Sequence, residues 1–134
     1  MHLAARKTAV WGGLLALVWG CNGRDRLTFP TSSDGLGPEA TITSPGQDTT
    51  VSVGPNALVS GMVVDGDGID TVYFDVEGGV TTFNPFVARG ADTVTFQLPL
   101  TTNGLSGNTI TVSVSGVNRA GLHGDTAVRN ITVQ

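Results

Sequence analysis

From Glu39 to the C-terminus, apolar and polar residues alternate with a period of two, and no other pattern lasts long enough to compete. The parity is plainest in Ile69–Glu77, with Val72, Phe74 and Val76 on one side and Thr71, Tyr73, Asp75 and Glu77 on the other. Only an extended chain sends alternate side chains to opposite faces, so this run is predicted to be a half-buried strand with Val72, Phe74 and Val76 inward. Thr93–Leu98 repeats the pattern with Val94, Phe96 and Leu98, Thr109–Val117 with Ile110, Val112 and Val114, and Ala127–Val133 with Ile131 and Val133.

Shorter runs come first. Ala40 and Ile42 alternate with threonines as far as Ser44-Pro45-Gly46, and Val51 and Val53 continue to Gly54-Pro55. Together they predict a split first strand at a sheet edge, where the missing N–H of proline is tolerated. Ala57–Asp65 is apolar on both parities. Gly66-Asp67-Gly68, Gly78-Gly79 and Arg89-Gly90 are predicted turns, because glycine takes positive φ without a steric penalty. Val80–Phe83 is a candidate short strand, closed by Asn84-Pro85. With 19 glycines and only 13% charged residues, the composition favours short strands and tight turns over helices. About seven strands in residues 39–134 predict an all-β chain folded as an immunoglobulin-like β-sandwich.

The first 38 residues follow different rules. Arg6 and Lys7 precede a charge-free run from Thr8 to Gly23 whose apolar part is Ala9–Gly20. A spanning helix needs about 20 apolar residues, and this run is shorter and interrupted by Gly12-Gly13, so residues 1–20 are predicted to be a signal peptide. The run ends Leu17-Val18-Trp19-Gly20-Cys21, and Cys21 is the single cysteine of the chain, which rules out an intramolecular disulfide. This stretch resembles the lipobox of bacterial lipoproteins, in which a lipid is attached to the cysteine and the chain is cut just before it. The resemblance implies that an acylated Cys21 anchors the protein to the membrane of the bacterial cell envelope. Asn22, in place of Asp, implies the outer membrane. Ordinary signal-peptidase cleavage near Gly20 or Gly23 is the alternative. Residues 22–38, rich in Gly, Pro, Ser and Asp and lacking either period, are predicted to complete a flexible tether spanning 21–38.

Loss of residues 1–20 leaves five arginines against eleven acidic residues, a net charge of −6, and no lysine. Phosphate backbones are held by clustered Lys and Arg, so nucleic acid is excluded as a partner.

Within the domain, Ile-Thr-Ser-Pro-Gly (42–46) and the succession from Val59 to Ile69 leading into Val-Tyr-Phe-Asp-Val (72–76) resemble a bacterial Ig-like domain. Asn118-Arg119-Ala120-Gly121 stands where such domains commonly carry Asp-x-Ala-Gly. The resemblance covers 39–134 and implies a non-enzymatic binding or structural module with a protein or glycan partner. The alternative is an accessory domain of an envelope hydrolase, or a small hydrolase.

No residue pattern supplies a catalytic, cofactor or metal site. His123, the sole histidine after the leader, lies in a glycine-flanked turn, and no cysteine or histidine cluster offers zinc ligands. Asp65, Asp67 and Asp70 form the one concentrated acidic cluster, read as turn chemistry and not as a calcium loop, because with Asp65 counted as the first position the twelfth is Val76 and not a bidentate Glu. Two groups remain as candidate partner surfaces. If Val59 and Val63 face the core, Leu58, Met62 and Val64 form an apolar patch on the outer face, unless a loop or the tether covers them. Phe83 and Phe86 flank Asn84-Pro85, either at a loop tip as binding aromatics or tucked into the core edge.

Overall fold

The computed structural model describes residues 33–54 and 56–134. The signal peptide, Cys21 and the tether up to residue 32 lie outside the described residues. Six strands follow in order: β1 (Glu39–Ser44), β2 (Thr49–Val51), β3 (Ala57–Glu77), β4 (Phe86–Leu100), β5 (Thr109–Asn118) and β6 (Ala127–Val133). Among the described residues there is no helix. They form an Ig-like β-sandwich built from one curled sheet.

The curl comes from β3 and β4, which make one long antiparallel ribbon. Its first part pairs Ala57–Val64 with Leu100–Thr93, and its second pairs Ile69–Val72 with Ala91–Phe86. Between them the register slips, because Asp65–Gly68 oppose only Asp92. The longer path on β3 folds the ribbon over itself. One layer is then β1, the first half of β3 and the second half of β4. The other is the first half of β4, the second half of β3, then β5, β6 and β2. Gly66-Asp67-Gly68 and Arg89-Gly90 therefore bend two continuous strands and do not end them, which corrects the expectation of turns there. About seven separate strands become six, two of which run through both layers. Gly68 has φ +86°, and a Cβ there would press on the Gly90 backbone, so the bend admits only glycine at this point. Opposite it, Arg89 takes a left-handed φ of 56°.

The split first strand is present: β1 edges one layer against β3, and β2 edges the other in a parallel pair with β6. A cis Ser44–Pro45 bond lies in the crossing between them. Val80–Phe83 is not a strand. Pairing of β3 with β4 begins only at Val72↔Phe86, so Tyr73–Glu77 and residues 78–85 diverge from it.

The inward rows are those the alternation predicts. Val59, Val63, Ile69, Val72, Ile110, Val112, Val114, Ile131 and Val133 are fully or almost fully buried, with Val94, Phe96 and Leu98 close behind. Each such side chain contributes about 1.5–3 kcal/mol through its removal from water. Phe74 packs edge-on against Phe96, with centroids 5.5 Å apart, and against Phe83 at 6.4 Å.

The register also fixes the ends. Residues 33–38 lie at the end of the sandwich where the ribbon folds, beside Asp67, Asn118 and Gly124. Gln134 lies at the opposite end, beside Val51 and Val53.

Candidate partner surfaces

The predicted outer-face patch on β3 follows from its alternation. Because Ala57, Val59 and Val63 point inward, Leu58, Met62 and Val64 point outward and remain 52%, 39% and 42% exposed. Ser60 interrupts the row, and on the neighbouring strands Thr41 and Thr95 stand opposite Met62, Pro99 opposite Leu58, and Glu39 and Thr93 opposite Val64. The result is an apolar stripe bordered by threonines and a proline, with Glu39 as the one charge at its end. No described loop or tether residue covers it.

The two phenylalanines part company. Phe83 is half-buried and packs on Phe74 and the core edge. Phe86 is 51% exposed and stands at the mouth of an apolar cleft of about 190 Å³ between the layers, floored by Phe74, Val94, Phe96 and Leu98. Alongside runs the free edge of β4, which pairs with β3 on one side only and carries no charged side chain from Thr93 to Leu100. Sequence reading missed this edge, since nothing local says that a strand lacks its second neighbour.

The acidic cluster is taken up by the fold. The Asp65 carboxylate, buried, accepts the Asp67 N–H at 2.7 Å and the Asn118 side-chain N–H at 3.2 Å. Asp67 accepts the Asp34 N–H at 3.1 Å, and Asp70 accepts the Thr71 hydroxyl at 2.9 Å. Each carboxylate thus completes a backbone or side-chain bond at the bend, the local use expected of Asp beside Gly. Among the described residues no three His, Cys, Asp or Glu side chains stand together as a metal site.

Asn118 is the residue whose importance the motif understated. Its amide donates to the Leu36 carbonyl at 3.0 Å and to Asp65, and its carbonyl accepts the N–H groups of Ala120 and Leu122, both at 3.0 Å. It ties together the turn after β5, the bend in β3 and the segment that leads into β1. Pro38 is buried against Gly116, and a Cβ on Gly124 would collide with the Pro38 carbonyl, so backbone lies directly on backbone here. Residues 34–38, expected as the end of the tether, are therefore held on the sandwich. His123 is exposed in the adjoining turn, at the rim of a polar hollow of about 460 Å³ shared with Glu39 and Asp125.

A second polar knot lies on the β2 edge. Asp48 accepts the Asn130 backbone N–H at 2.9 Å and its side-chain N–H at 3.1 Å, while Arg129 stands 3.7 Å away. These donors hold the Asp48 carboxyl below the usual carboxylate range, the Asn130 backbone N–H foremost. Asn130 also accepts the Thr111 hydroxyl at 2.9 Å.

With this geometry in place, residues 38–115 match the bacterial Ig domain family, from the start of β1 to within β5. The crystal structure of an engineered protein is similar at 19% identity, with a TM-score of 0.44 over 72% of this chain and 20% of that one. The match thus spans about a fifth of the engineered protein's length. A search of the curated proteins returned no match.

Proposed function

Because the chain belongs to the bacterial Ig domain family, we propose that it is a non-enzymatic binding or structural module of the bacterial cell envelope, held to the outer membrane by a lipid on Cys21. Family membership carries the first half of this reading. A bacterial Ig domain is generally a non-catalytic scaffold, and function resides in the surface grafted on it. The surface that supports binding here is the Leu58–Met62–Val64 stripe, apolar and exposed where a strand face turned to water ordinarily carries polar residues. Its partner is a protein or glycan that lies flat on a sheet.

Anchoring is supported by Leu17–Cys21 and by the charge that follows it. Two or three acyl chains hold a protein stably, whereas a single chain binds only marginally. A domain of net charge −6 stays clear of anionic headgroups, so lipid and not surface charge must do the holding. The test is fractionation. Cys21→Ser should move the protein from the membrane fraction to the soluble one and leave the leader uncut. A mutant that still pellets after a high-salt wash would sink the lipid anchor. Binding is tested separately by Leu58→Ser with Met62→Ser, which should leave the melting temperature nearly unchanged and abolish retention of the protein's partner. If retention survives, the stripe is not the docking surface.

A further inference from the structure

The loop from β4 to β5 is anchored on both sides of its tip. Thr102 is fully buried and Leu105 belongs to the core, and the Leu105 N–H closes a turn on the Thr102 carbonyl at 3.2 Å. The two central residues of that turn are Asn103 and Gly104. Gly104 has φ +76°, the type II arrangement that favours glycine in this place. Further anchors follow: the Gly107 N–H donates to the Val133 carbonyl at 2.8 Å, and the Val133 N–H donates to the Asn108 carbonyl at 2.9 Å. The Gly54 N–H donates to the Thr102 hydroxyl at 3.2 Å. The tip itself, Asn103-Gly104, is exposed.

Among the described residues, the Asn103 side-chain amide, the Asn103 carbonyl and the Gly104 N–H have no hydrogen-bond partner. The peptide plane between the two residues can therefore rotate without breaking a bond. Space is open as well, since a Cβ placed on Gly104 would meet nothing within 4 Å. The other described asparagines lack this freedom. Asn118 has its whole amide bonded, and the N–H of the next residue, Arg119, is held by the Gly68 carbonyl. Asn130 is bonded to Asp48 and Thr111 and precedes a strand residue, Ile131. Asn56 and Asn108 precede Ala57 and Thr109, which are paired with Leu100 and Thr132. Asn84 precedes Pro85, which has no N–H to offer.

We propose that Asn103 is a site of spontaneous backbone modification in the folded protein, closing on the Gly104 nitrogen to form a succinimide that water opens to aspartate and isoaspartate. The Gly104 nitrogen, losing its proton to solvent base, attacks Asn103 Cγ, and a new C–N bond forms. The bond from Cγ to the side-chain nitrogen breaks, and that nitrogen leaves as ammonia with a proton regained from solvent. Water then adds to one of the two imide carbonyls. Cleavage of the Cγ–N bond gives Asp at position 103. Cleavage at the main-chain carbonyl gives isoaspartate, with the chain running through the former side chain. The balance is one water consumed to close and reopen the ring, and one ammonia released. The two products differ in their effect on the fold. Aspartate adds a negative charge at an exposed tip. Isoaspartate adds one carbon to the main chain between two buried anchors, Thr102 and Leu105, in an interior that has no slack to absorb it. It breaks the Leu105–Thr102 turn and loosens the loop that holds Val133.

The experiment incubates the full, unacylated chain in heavy-oxygen water at mildly alkaline pH, well below its melting temperature. Cleavage after arginine then releases the peptide Gly90–Arg119, and fragmentation in the mass spectrometer assigns the labelled oxygen to Asn103, Asn108 or Asn118. The label should enter at Asn103 roughly ten-fold faster or more than at Asn56, Asn108, Asn118 or Asn130, which must first break bonds; about 1.4 kcal/mol is a factor of ten. In denatured chain that advantage over the others should shrink. Asn103→Gln, an exposed change whose longer side chain disfavours the five-membered ring, should take up no label at that position. After separation, the isoaspartyl form should melt below both the untreated protein and Asn103→Asp, which carries the charge without the extra carbon. An Asn103 that stays unlabelled in the folded protein while it converts in denatured chain would overturn the proposal, as would equal labelling at the other described asparagines. An isoaspartyl form that melts together with Asn103→Asp would overturn the effect assigned to the loop.

Discussion

Asn118 is buried and satisfied at both ends of its amide, so its removal strands several partners at once. In Asn118→Ala the N–H groups of Ala120 and Leu122 and the Leu36 carbonyl lose their bonds together, and Asp65 loses one donor. The bond to Asp65 is the buried one, and leaving its partner unpaired costs about 1–3 kcal/mol, whereas Leu36 and Ala120 are exposed and their groups can turn to water. The variant should lose at least that much in denaturant titration, more than any surface substitution. Asn118→Asp restores the common family residue yet faces the Asp65 carboxylate across the 3.2 Å that now holds a hydrogen bond. Like charges at that distance disfavour joint ionisation, so this variant should be destabilised at pH 7 and partly recover in mild acid. Recovery is read as a rise in melting temperature on acidification that Asn118→Ala does not show.

Asp48 shows the opposite sign. Its carboxyl is lowered in the folded protein by the Asn130 N–H, so folding favours the ionised form. The stability it contributes is present above the unfolded value, about 3.9 for Asp, and is lost as the pH falls through the lowered folded value. Wild type should therefore melt above Asp48→Ala at pH 6, and the gap should close below about pH 4. A gap that persists at pH 2 would mean that the side chain acts through something other than its charge. The carboxylate is exposed, and the effect is expected to be small and to shrink with salt.

At the scale of strands, the rows that alternation assigned separate cleanly in their expected cost. Val112→Ala removes two methyl groups from a fully buried site, worth about 2 kcal/mol with its cavity. Phe74→Ala empties the space between Phe83 and Phe96 and should cost about 3 kcal/mol, at the low end for a core Phe because Phe74 is only half-buried. Tyr73→Ala, on the exposed side of the same strand, should stay within about 0.5 kcal/mol. Equal losses at Phe74 and Tyr73 in urea titrations would contradict the parity. What alternation could read was this local choice of face, because it depends only on the period of the backbone. It could not read the fate of Gly66-Asp67-Gly68 or Arg89-Gly90. The same glycines and aspartates that reverse a chain also let a strand bulge, and the strand opposite decides between the two. Nor could it tell Phe83 from Phe86: one finds Phe74 and the other does not, three residues apart and on a strand pairing that starts only at Phe86. The stripe of Leu58, Met62 and Val64 was legible up to one condition, that Val59 face the core, which the pairing with β4 meets.

The whole molecule is bound by the fact that β3 and β4 belong to both layers. In a sandwich of two separate sheets joined by loops, one sheet can loosen while the other persists. Here the first half of β3 cannot leave its layer without pulling on the second half, since Val64 and Ile69 flank a bend pinned by the Arg119 N–H on the Gly68 carbonyl at 3.0 Å. The core is likewise shared, with Phe96 of one layer against Phe74 of the other. A domain so connected should unfold in a single cooperative step. Hydrogen exchange reads this layer by layer, because protected amides report the free energy of the opening that releases them. The slowest amides of the first half of β3 and the second half of β4 should open with the same free energy as those of β5 and the second half of β3. Both should equal the global value from denaturant. β2, held at an edge by three residues and its flanking bonds, is the place where lower values belong. If one layer's slowest amides fall more than about 1 kcal/mol below the other's, the layers come apart separately and the continuous ribbon is not what unites them.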